Sequence, residues 1–78
     1  SLDDIINKPY SKVTIELNEN CKIDEIKELL LSEGPTEVNL IINNNNRKIQ
    51  YNLQKSRKFD FNQLKYLKSR EYVKKITV

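Results

Sequence analysis

The sequence predicts a small α+β domain of four strands and two helices in the order β-α-β-β-α-β. Three observations predict it. Apolar residues alternate with polar ones in four separate stretches, as half-buried strands require, and two further stretches place them at helical spacing instead. The chain's 78 residues, 37% hydrophobic, suffice for one modest core and not for two.

The first strand is expected from Lys12, where Val13, Ile15 and Leu17 alternate with Thr14 and Glu16. Residues 1–11 before it are read as a linker or short helix arriving from a preceding domain, with Ser1 and Asp4 in a capping-box pattern and Pro9 as its stop. Residues 12–78 are the domain. The first helix follows in "NENCKIDEIKELLLSEGP", where Ile23, Ile26, Leu29 and Leu30 share a face and acids crowd the first turn. Gly34, the single glycine, stands where a left-handed C-terminal cap is expected before Pro35.

"NLIINNNNRKIQY" sets four asparagines between two alternating runs. A tight turn centred on Asn44 and Asn45 puts Leu40 opposite Ile49 and Val38 opposite Tyr51, so that both apolar sets share one face and Tyr51 joins the core. Asparagine tolerates the positive φ of a type I′ turn, and a hairpin accounts for the tract without a ligand. "FDFNQLKYL" then supplies Asp60 as N-cap, Gln63 as its capping-box partner and Phe59 as a staple onto Leu64. Phe61, Leu64 and Leu67 form the second helix's apolar stripe. "YVKKITV" closes the domain as a strand with Ile76 and Val78 on one face.

Two strand–helix–strand halves joined by a hairpin predict a ferredoxin-like, four-stranded antiparallel sheet with both helices on one face, in a strand order that the sequence does not fix. The other face then carries Thr14, Glu16, Asn39, Ile41, Lys48, Gln50, Asn52 and Lys75. It is polar apart from Ile41, as a solvated sheet face is.

Composition narrows the chemistry. The chain has no histidine and one cysteine, Cys21, which removes the commonest general base and metal ligand and any intrachain disulfide. One glycine cannot build a phosphate-cradling loop. Asp24, Glu25 and Glu28 open a helix, where the dipole favours them, and no nucleophile or metal ligand converges with them in sequence. Neither catalysis nor a cofactor or metal is expected. A lone thiol suits the cytoplasm, and no run approaches the ~20 apolar residues of a membrane span.

Charge is divided unevenly. Residues 1–46 hold four lysines against nine acids, a net of −5, and residues 47–78 hold ten basic residues against two acids, a net of +8. Arg47, Lys48, Lys55, Arg57, Lys58, Lys65 and Lys68 could touch nucleic-acid phosphates, but the aromatics that an RNA-recognition motif places on its open sheet face are absent. A free-standing nucleic-acid-binding domain is one functional reading.

The succession "SLDDI…KVTIEL…IDEIKELLLSEGPTEVNLII…RKIQYNL…FNQLKYL…EYVKKITV" resembles, over nearly all of its length, the C-terminal end of the alpha subunit of bacterial DNA polymerase III. Leu29, Leu30, Gly34, Val38, Leu40, Val73 and Ile76 occupy that family's patterned positions. Tyr72 stands where the family has a glycine, and the hairpin loop is the asparagine tract. The resemblance implies a module, without the polymerase's catalytic aspartates, that tethers the replicative polymerase to the tau subunit of the clamp loader. On that reading the domain is a monomer in DNA replication, with at most weak contact to a DNA backbone. Its expected partner-binding residues are Arg57, Lys58, Lys65, Tyr66, Lys68 and Tyr72, the tyrosines as anchors because tyrosine is enriched at interface centres.

Overall fold

A computed structural model describes residues 10–78, so the expected N-terminal linker or helix falls, apart from its last two residues, outside the described residues. The elements are β1 (Lys12–Leu17), α1 (Ile23–Leu29), β2 (Glu33–Asn44), β3 (Arg47–Asn52), α2 (Phe61–Lys68) and β4 (Val73–Thr77). The α+β class and the element order are those expected.

The sheet is mixed rather than wholly antiparallel. Its order is β3-β2-β1-β4, with β1 parallel to β2 and antiparallel to β4, and β2 antiparallel to β3. In the ferredoxin-like arrangement a further strand separates the two strands of each strand–helix–strand unit. Here β1 and β2 pair directly, Val13 against Val38 and Ile15 against Leu40. Both arrangements bury the same alternate residues, so sidedness alone does not choose between them.

One core joins sheet and helices. Val13, Ile15 and Leu17 of β1, Val38 and Leu40 of β2, Ile26 and Leu30 at α1, and Leu64 and Leu67 of α2 are buried in a single cluster with Leu53, Phe59 and Tyr72. Both helices therefore cover one sheet face. Each of these aliphatic side chains contributes roughly 1.5–3 kcal/mol on full burial. The eight residues expected on the other face do share it: Thr14 is level with Asn39 and Asn52, and Glu16 with Ile41, Gln50 and Lys75.

The capping box of α2 forms as expected. Asp60 Oδ1 accepts from the Asn62 and Gln63 amides at 2.9 and 3.4 Å, and the Asp60 amide donates to Gln63 Oε1 at 2.9 Å. Phe61, expected in the apolar stripe, is instead 57% exposed. It opens the helix before the stripe has turned under.

The hairpin turn lies one residue later than expected. Asn45 and Asn46 hold φ of 50° and 67°, as a type I′ turn requires, and Asn44 pairs with Arg47. Leu40 consequently faces Tyr51, and Ile42 faces Ile49. A one-residue move of the turn shifts the pairing by two, which leaves every side chain on its predicted face.

Gly34 does not cap the helix. α1 ends at Leu29, its C-cap Leu30 has a φ of −111°, and Gly34 lies inside β2 without a positive φ. A Cβ there would sit 2.5 Å from the Lys58 Cα and 2.6 Å from its amide nitrogen. The glycine is required because the chain at Arg57 and Lys58 presses against it. Two backbone hydrogen bonds hold that approach: Gly34 N–H to the Ser56 carbonyl at 3.3 Å, and Lys58 N–H to the Ser32 carbonyl at 2.8 Å.

Candidate interaction site

The residues expected to bind a partner are dispersed. Arg57 is committed to the fold: its guanidinium donates to the Leu30 carbonyl at 2.8 Å and to the Gln54 carbonyl at 3.0 Å. It thereby satisfies an open carbonyl at the end of α1 and fastens that end to the segment leading into α2. An arginine so engaged has little left to offer a phosphate. Lys58 is exposed beside it.

Lys65 and Lys68 are exposed and, three residues apart on α2, share a stripe with Phe61. Tyr66 points away from that stripe toward α1, where its hydroxyl donates to Glu25 Oε1 at 2.5 Å. The bond holds the Glu25 carboxyl below its ordinary pKa and raises that of the Tyr66 phenol. The Arg70 guanidinium lies over the Tyr66 ring, 4.6 Å from its centre. Tyr66 thus locks the two helices together and keeps 38% of its surface exposed.

Tyr72, expected as a surface anchor, is only 8% exposed and belongs to the core. A tyrosine just before an edge strand looks peripheral in sequence, but it sits in the Arg70–Val73 turn, closed by the Val73 N–H to the Arg70 carbonyl at 3.2 Å, and its ring lies in the core. Its hydroxyl is buried and makes no well-formed hydrogen bond among the described residues, although Glu25 lies close enough to act on it. Burial first, and then the Glu25 charge, push the phenol up to about 12. Beside it, Asn18, Lys22, Glu25, Arg70 and Tyr72 line an open cleft of about 620 Å³.

The surface that sequence reasoning missed is β3. All six of its residues are exposed, and Ile49 and Tyr51, on the core side of the sheet, keep 50% and 44% of their surface in solvent. The helices stop short of this edge. Lys27 of α1 reaches over it, with its ammonium 5.2 Å from the centre of the Tyr51 ring. Placement of β3 at the sheet edge was the missing information, and alternation does not carry it.

Among the described residues no three His, Cys, Asp or Glu side chains converge on a common point, and burial raises the pKa of the Cys21 thiol. No helix among them is long and apolar enough to cross a membrane. Comparison with protein-family profiles, curated proteins and solved structures finds no match.

Proposed function

We propose that this chain is a protein-interaction module and, from its resemblance to the C-terminal end of the DNA polymerase III alpha subunit, that it tethers the polymerase to the tau subunit of the clamp loader. The observation that supports an interaction role is the half-exposed apolar strip of Ile49 and Tyr51 on an uncovered edge strand. Exposed aromatic and aliphatic side chains beside a free strand are what protein partners use. The partner's identity rests on the resemblance alone.

One feature favours nucleic acid instead: Phe61, on the same stripe as Lys65 and Lys68, offers a stacking ring next to two cations. Titration of the chain with purified tau and, separately, with single-stranded DNA over a range of salt separates the readings. A tether binds tau with modest salt dependence. Binding to DNA alone, with the log–log salt slope flattened by about 0.7–0.9 for each phosphate that Lys65→Ala/Lys68→Ala no longer neutralises, would replace the tether by the nucleic-acid reading.

A further inference from the structure

We propose that the outer edge of β3, which no strand among the described residues pairs with, accepts an extended acidic peptide as a fifth strand of the sheet, an inference that rests on the interaction-module reading and specifies its mode. The hydrogen-bond phase of the hairpin defines which groups are available. Leu53 N–H bonds inward to the Val38 carbonyl at 3.1 Å, and Val38–Leu53 continues the register in which Leu40 faces Tyr51 and Ile42 faces Ile49. In an antiparallel ladder such pairs alternate with pairs whose backbone groups point away. Lys48, Gln50 and Asn52 therefore present their N–H and C=O groups to the free edge, in a row long enough for a short strand.

Side chains select the occupant. A strand laid on this edge places alternate residues beside Ile49 and Tyr51, where apolar side chains would complete the cover that the helices leave off. Its other residues fall beside Lys48 on the opposite face. β3 carries Arg47 and Lys48 and no acid, and Lys27 hangs over Tyr51. Edge lysines discourage pairing between like strands, so a second copy of β3 would bring cation against cation. The same cations attract a strand that alternates apolar residues with glutamate or aspartate.

The probe is a short synthetic peptide of alternating valine and glutamate, blocked at both ends, titrated into the chain and followed by amide NMR. A matching valine–lysine peptide is the control. The expected result is saturable binding of the glutamate peptide alone, weakened by salt, with the Lys48, Gln50 and Asn52 amides shifted most and protected from exchange. Gln50→Pro removes an outward N–H and leaves the inward ladder intact, and it should lower affinity by about tenfold or more with little change in the melting curve. If that variant unfolds, Lys48→Glu decides, because it should reverse the preference between the two peptides. Absence of binding, shifts centred on α2 or the open sheet face, or affinities indifferent to both variants would overturn the proposal. Failure of the native chain to bind tau would remove the tether and leave the peptide result standing, so the two are told apart.

Discussion

Strands β1 and β3 are each six residues long and each alternates apolar with polar side chains, yet Val13, Ile15 and Leu17 are sealed from solvent while Ile49 and Tyr51 are about half exposed. The difference lies in their neighbours. β1 is hydrogen-bonded on both sides, to β2 and β4, whereas among the described residues β3 has β2 on one side only. The two sets of residues point to the same face at different depths. Alternation specifies which way a side chain points, and strand order specifies how much water it loses.

The largest expected effect tests that contrast directly. Ile15→Ala should cost about 2–5 kcal/mol in chemical denaturation, because a fully enclosed side chain leaves a cavity, and Ile49→Ala should cost no more than about 1 kcal/mol. Equal losses would show that β3 is covered in solution. Tyr72, enclosed in the same core as Ile15, extends the contrast to pH. A phenol held neutral up to about 12 stabilises the fold fully below its unfolded value of about 10 and loses that contribution as pH rises from about 10 through about 12. The loss should amount to at most roughly 3 kcal/mol. Tyr72→Phe should keep stability near neutrality and flatten the alkaline decline. An unchanged profile in Tyr72→Phe would rule out Tyr72 as its source.

Gly34 tests close packing at the start of β2. Gly34→Ala should destabilise by about 1–3 kcal/mol, because the new Cβ meets the Lys58 backbone rather than a yielding side chain. Were Gly34 only flexible, the substitution would instead stabilise by up to about 1 kcal/mol through the unfolded chain. The smallest effect concerns the turn that brings β3 to the edge. Asn46→Gly should be neutral or stabilise by about 0.5 kcal/mol or less, since position 46 has a φ of 67°. Asn44→Gly, within the ladder opposite Arg47, should lose up to about 1 kcal/mol. Reversed signs in thermal melts would return the turn to Asn44–Asn45.

Much of the fold was legible in the residues. β1 begins at Lys12 as its alternation predicts, the Asp60–Gln63 box caps α2, and Ile26 and Leu30 turn inward as the helical spacing of α1 requires. Each of these is a local rule whose partners lie within a few residues. The site was less legible. Arg57 reads as a free cation until Leu30, 27 residues away, claims its guanidinium, and Tyr72 reads as exposed until the core closes over it. Ile49 and Tyr51 failed in the opposite sense, as apolar residues assigned to a core that does not reach them.

By itself the sequence determined the α+β class, the order of the six elements, the face to which each strand residue points and the capping of α2, because periodicity and short-range hydrogen bonds act within one segment. Only the tertiary structure decided that β1 and β2 pair in parallel, that β3 lies uncovered at an edge, and that Gly34 yields its place to Lys58. Those outcomes depend on which segments become neighbours. Several strand orders satisfy the same alternation, and the choice among them comes from packing the whole chain at once.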